Sequence, residues 1–203
     1  MGLVLGIDPG FAFVGYALVD LLPEGESLVR VGVLTTKKSL AKRAVYASDD
    51  NFNRSREIYR GLADLVSARG RVMAICVESM SFPRNASAAA KVAMSWGILA
   101  SFSESLGIPL VQVSPQVVKK HACDNRSASK KEVFDAMCAR YKDFKPMCTA
   151  MKIPAGQLEH PTDALATVVA ALDGDVLRLA RAAVTREAEL RKIRESARPA
   201  AST

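Results

Sequence analysis

With 203 residues, the chain has room for one domain of ordinary size plus an appendage, and two full domains would be crowded. Hydrophobic residues at 49% and charged residues at 24% exclude a globally disordered chain. A formal charge of +7, from 28 Lys+Arg against 21 Asp+Glu, suits contact with a polyanion.

The run Gly2-Leu-Val-Leu-Gly-Ile7 is rich in β formers and stops at Asp8-Pro9-Gly10, which predicts a buried strand ended by a turn. Phe13 to Val19 and Ser27 to Leu34 repeat that character around the Pro23-Glu24-Gly25 turn. Three successive strands with short links predict an antiparallel meander. From Asn53 to Arg69 the pattern is helical, with Ile58, Leu62, Leu65 and Val66 on one face and Gly70 as its stop. Val72 to Val77 is a second fully apolar strand with Glu78 at its end, and Ala86 to Leu106 is an alanine-rich helix closed by Gly107. Next come a strand over Ile108 to Val113 and a polar, lysine-bearing stretch from Ser114 to Ser129. A helix from Lys130 to Tyr141, a loop over Met151 to Glu159 and a long helix beginning near Thr162 follow.

Strands alternating with helices after the opening meander predict a mixed α/β sheet with helices on both faces, over residues 1–173. Residues 174–203 are expected to form a charged helical extension whose end, from Ala197, is disordered. The four cysteines, Cys76, Cys123, Cys138 and Cys148, form no CxxC pair, and their spacing with His121 fits none of the usual zinc patterns. No apolar stretch reaches the roughly 20 residues that cross a bilayer, and no basic leader precedes an apolar core at the N-terminus. A soluble cytoplasmic protein with reduced thiols is expected.

The acids are more informative. Asp8 and Glu78 each end an apolar strand, and Asp163 falls at the start of the late helix, three positions after His160. Acids at the C-terminal ends of neighbouring strands converge on one sheet edge, where open α/β folds place their sites. A carboxylate in such apolar surroundings is costly to keep ionised without a partner, and a divalent cation is the natural one. Hard Mg²⁺ or Mn²⁺ takes carboxylate oxygens and keeps several waters. Two such ions about 3.5–4 Å apart can drive phosphodiester hydrolysis. Asp163 also suits the N-terminus of a helix on electrostatic grounds alone, and His160 could either bind metal or shuttle a proton. The cluster Lys119, Lys120, His121, Arg126, Lys130 and Lys131 reads as a phosphate-binding surface aimed at the same edge, against the plainer reading of a solvated loop.

In Gly6-Ile-Asp-Pro-Gly10 with Gly15-Tyr-Ala17, Cys76-Val-Glu78, Ser114-Pro-Gln-Val-Val-Lys119 and Asp163-Ala-Leu-Ala166, the chain resembles the RuvC family of Holliday-junction resolvases. The resemblance implies the ribonuclease H-like fold and a homodimer that nicks a four-way DNA junction symmetrically. It also implies dependence on Mg²⁺, with ligand roles for Asp8, Glu78, His160 and Asp163, and phosphate contacts from Lys119 and Lys130. Within Ser79-Met-Ser-Phe-Pro-Arg-Asn85 it points to Phe82, with Arg84 beside it, as a DNA contact that stacks into the junction. Val14 departs from the family's usual Thr or Ser, and the segment from Pro23 to Asn53 adds Lys37, Lys38, Lys42 and Arg43. These departures bear on junction and sequence selectivity. The same acids would serve a flap or RNA–DNA hybrid nuclease, and a non-cutting junction binder could retain them. The actin-like kinases and ATPases also open with an Asp-Gly turn, but the glycine-rich phosphate loops they need are missing here.

Overall fold

The computed structural model describes residues 2–39, 46–68, 71–80 and 85–196. Its strands are β1 (Gly2–Asp8), β2 (Phe13–Leu21), β3 (Glu26–Thr35), β4 (Val72–Glu78) and β5 (Leu110–Val113). The helices are α1 (Ala47–Ser67), α2 (Ala86–Leu106), α3 (Pro115–Cys123), α4 (Lys130–Arg140), α5 (Phe144–Ala150), α6 (Glu159–Ala171) and α7 (Asp175–Ser196), with a 3₁₀ turn at Ala155–Gln157 before α6.

The strands make one sheet in the order β3-β2-β1-β4-β5. The opening meander is antiparallel, whereas β4 joins β1, and β5 joins β4, in parallel. β1 is apolar up to Asp8 because both of its faces are covered. Leu3, Leu5 and Ile7 pack with Ile58, Leu62, Leu99 and Phe102 of α1 and α2. Val4 packs on the other face with Ala164, Leu165 and Val168 of α6. The α/β class, the mixed sheet and the two helical layers agree with the sequence expectation.

Two glycines set the spacing of α6 against the sheet. A Cβ on Gly6 would strike the Ala164 carbonyl, and one on Gly15 would strike the His160 carbonyl. Gly15 is the register partner of Asp8. The bare backbone beside Asp8 therefore makes room for the first turn of α6.

Several boundaries differ from expectation. α1 starts at Ala47 and not at Asn53, because its first turn is polar and gives no periodic signal; Asp49 and Asp50 there suit the helix N-terminus. The expected polar stretch Ser114–Ser129 contains α3, with Pro at its start, and Ser129 forms a capping box with Glu132 to open α4. α5 was not expected. α6 begins at Glu159, ahead of Thr162, which places Asp163 in its second turn. Gly70, Lys42, Arg43 and the tail from Ala197 lie outside the described residues.

α7 lays Leu177, Ala180 and Val184 into the same core as α6. Glu26 at the start of β3 ties it down. This carboxylate, 10% exposed, accepts hydrogen bonds from Arg140 Nη2 at 2.6 Å, Tyr141 Oη at 3.1 Å and Arg181 Nη2 at 3.0 Å. Glu26→Gln removes the charge that two guanidiniums share, so we expect a loss of about 1–3 kcal/mol. Urea titration should show the midpoint falling with an unchanged slope.

Candidate active site

Asp8 and Glu78 end adjacent parallel strands, whose last common register pair is Ile7 with Val77. The two carboxylates therefore share one sheet edge. α6 crosses above it and presents His160 and Asp163, which its helical period places on one face. His160 Nδ1 lies 2.7 Å from Asp8 Oδ2, and its ring stacks on Phe13 with 5.5 Å between centroids. Both members of the His160–Asp8 pair are mostly buried.

Burial, with repulsion from Asp8 and Glu78, pushes the Asp163 carboxyl up to about 7. Burial and Asp8 likewise raise Glu78, which Lys119 and Lys130 partly offset. The hydrogen bond to Asp8 raises His160, further supported by the charges of Asp8, Glu159 and Asp163. The four predicted acid and imidazole groups thus form one electrostatic unit, the pattern by which sites are recognised.

Among the described residues, no three His, Cys, Asp or Glu side chains close on a single point as metal ligands. Asp8, Glu78 and Asp163 face one another as charges, and Asp8 pairs with His160. The donor chemistry still fits a hard divalent cation: three carboxylates, mutually repelling and half-buried, gain most from a positive ion.

The predicted basic residues divide. Lys130, the first residue of α4, pairs with Glu159, and its charge also reaches Asp163 and Asp8. Lys119 acts on Glu78. Lys120 pairs instead with Asp124, and Lys131 with Asp135 at 2.5 Å, each within its own exposed helical stretch. Phe82 and Arg84 lie outside the described residues.

A cleft of ≈ 120 Å³ beside the acids is lined by Asp8, Pro9, Glu78, Ser79, Met80, Val92 and Trp96. From sequence alone, Val92, Trp96, Phe13 and Glu159 carry no role in the site. Phe13 could have been found from period-two alternation, because it shares a strand face with Gly15, the residue that α6 approaches. Glu159 carried no such signal.

A central antiparallel meander extended by parallel strands and covered by helices on both faces is the ribonuclease H-like fold, and it brings the acids at the ends of β1 and β4 and a third on the covering helix to one edge. The family model described as "Crossover junction endodeoxyribonuclease RuvC" matches residues 4–171. The chain belongs to the RuvC family. It is 28% identical over 164 residues to the crossover junction endodeoxyribonuclease RuvC of Natranaerobius thermophilus, spanning 81% of this chain and 90% of that one. To the protein of the same description from Prochlorococcus marinus strain MIT 9312 it is 30% identical over 143 residues, 70% of this chain and 84% of that one. Its fold matches that of T. thermophilus RuvC in complex with Holliday junction substrate, with a TM-score of 0.67 at 22% identity over 91% of this chain and 98% of that one. Among the described residues, no helix is long and apolar enough to cross a membrane.

Proposed function

We propose that this chain is a structure-selective endonuclease that resolves four-way DNA junctions by paired phosphodiester hydrolysis at the Asp8, Glu78, His160 and Asp163 cluster. One observation carries the reading: three carboxylates on two strand ends and a helix crowd together, Asp8 raising the proton affinity of both Glu78 and Asp163, with Lys119 and Lys130 at their margin. Asp8, Glu78 and Asp163 would hold Mg²⁺, with Mn²⁺ as a substitute and two ions per site. Ions bound there supply the activation of water and the stabilisation of the leaving oxygen in an in-line displacement.

The chain's own groups do the rest. Asp8 fixes the ring of His160 through Nδ1, which leaves Nε2 to serve as a ligand or to hold a proton at the reacting edge. Lys119 and Lys130 bring positive charge to the edge where the carboxylates would repel DNA. Lys120, Lys131, Phe82 and Arg84 complete the DNA-contacting set carried over from the sequence. Paired nicking needs two sites, so the chain acts as a homodimer, working in the cytoplasm of a bacterium or of a phage-infected host.

Matched four-way, flap and RNA–DNA hybrid substrates, incubated with the protein in Mg²⁺, test the selectivity. Preferential paired nicking of the four-way junction is expected, and equal cutting of all three would overturn it. Sedimentation should give a dimer, and a clean monomer at high concentration would contradict paired nicking. Lys130→Ala is expected to cut about tenfold more slowly and to lower the salt slope of junction binding by about 1, as removal of a single phosphate contact does.

A further inference from the structure

We propose that Arg54 is a positioning residue for the reaction: a buried Arg54–Thr36 network holds the turn from Gly10 to Phe13, and Phe13 in turn holds the ring of His160 against Asp8. The inference rests on the reading of Asp8 and His160 as reacting-centre residues. Arg54, Asp50 and Thr36 are 7%, 7% and 6% exposed, so a charged residue has been taken out of water far from any solvent need. Such burial is costly unless specific bonds compensate it.

Those bonds go chiefly to the turn. Arg54 Nη2 donates to the Phe11 carbonyl at 3.1 Å and Nε donates to Thr36 Oγ1 at 2.9 Å. Thr36 Oγ1 donates to the same Phe11 carbonyl at 2.7 Å. The guanidinium also lies over the Phe11 ring, 4.5 Å from its centre. By comparison the ion pair with Asp50 is loose at 3.8 Å, and one Asp50 oxygen accepts the Ser39 amide at 2.7 Å. A cation kept only to neutralise Asp50 would show the opposite order of distances.

The turn is held from its other sides as well. Ser95 Oγ donates to the Gly10 carbonyl at 3.1 Å, and the Thr36 amide donates to the Ala12 carbonyl at 2.9 Å. Three consecutive carbonyls, of Gly10, Phe11 and Ala12, are thus fixed from outside the turn. Irregular backbone two residues from a catalytic acid gains its precision this way. Asp8 precedes the turn and Phe13 follows it, and Phe13 stacks on His160. Arg54 therefore sets the ring that Asp8 bonds without touching either group.

Arg54→Lys tests this, because lysine keeps the charge but can neither fork to two acceptors nor stack as a plane. Thr36→Val is the second variant, removing the hydroxyl while keeping shape. The chain has two histidines, His121 and His160, so the ¹H–¹³C signals of the His160 ring can be assigned and followed in protein without DNA or metal. Both variants are expected to shift the His160 signals, to slow single-turnover junction cleavage by about tenfold or more, and to leave junction binding in Ca²⁺ within twofold. Val184→Ala, which packs against Gly2 at the opposite end of β1, serves as a control for lost stability and should leave the His160 signals in place. Unshifted His160 signals in folded Arg54→Lys and Thr36→Val, or equal slowing by Val184→Ala at matched loss of Tm, would overturn the proposal. Because the signals are read without substrate, they fail or succeed separately from the assignment of the active site, which cleavage by Asp8→Asn tests.

Discussion

Asp8→Asn is expected to slow junction cleavage by on the order of 10³-fold or more while leaving junction binding within a few fold. Asp8 stands at the centre of the cluster. Its strand pairs with β2 on one side and β4 on the other, it bonds His160, and its charge raises both Glu78 and Asp163. Asparagine has the same shape, can still accept from the imidazole and removes one of three facing charges, so the fold is kept. What is lost is the hard anionic donor on which divalent-ion catalysis depends, and removal of a central group in a cooperative site costs several orders of magnitude. Single-turnover cleavage of a four-way junction in Mg²⁺, beside gel-shift titration in Ca²⁺, measures the two quantities. Cleavage near the unsubstituted rate would place the chemistry elsewhere.

The second large effect is on stability. Without divalent ions, the protein should lose stability as pH rises from about 4 to about 7. Asp163 has an ordinary value of 3.8 and sits at about 7 in the folded chain. Between these limits the folded state holds a proton that the unfolded chain has released, so each step upward in pH favours unfolding. The separation corresponds to up to about 4 kcal/mol, complete above pH 7. Glu78 and His160, both raised, act with the same sign: their contribution is present at low pH and disappears as each deprotonates. Thermal melts in EDTA should show a falling Tm across this range, with a shallower fall in Asp163→Asn. Added Mg²⁺ should raise Tm more at pH 8 than at pH 5, since a cation replaces the missing protons. A Tm independent of pH in EDTA would contradict the crowding of these acids.

The sequence made the sheet legible because its strands are short apolar runs with clear turns, and because Asp8 and Glu78 stand where those runs stop. It did not disclose α5, which is only seven residues long with Pro146 inside it, or the true start of α1, whose first turn is polar; both draw their stability from tertiary contacts more than from local pattern. In the site, the period of α6 and the motif around Asp163 were enough to join it to His160. The direct bond from His160 to Asp8 was not legible, because it depends on the depth to which α6 settles over Gly6 and Gly15, a packing distance that no local pattern encodes. The basic cluster shows the same division. Proximity in sequence grouped Lys119, Lys120, Lys130 and Lys131, but helix geometry separates the pair near the acids from the pair bonded to Asp124 and Asp135.

The seating of α6 and α7 has a consequence for how the chain is made. The meander β1 to β3 uses neighbouring residues and can assemble as soon as it is synthesised, yet the face bearing Val4, Ala17, Val19 and Leu21 is covered, among the described residues, chiefly by helices that begin at Glu159 and Asp175. Until those segments arrive, a nascent chain displays a bare apolar sheet, the kind of surface that chaperones retain and that aggregates form on. The same order of synthesis delays the nuclease itself. Asp163 and His160 reach Asp8 and Glu78 together, when α6 docks, so a partly made chain lacks half of the proposed cutting centre, which would be completed in one late step of folding.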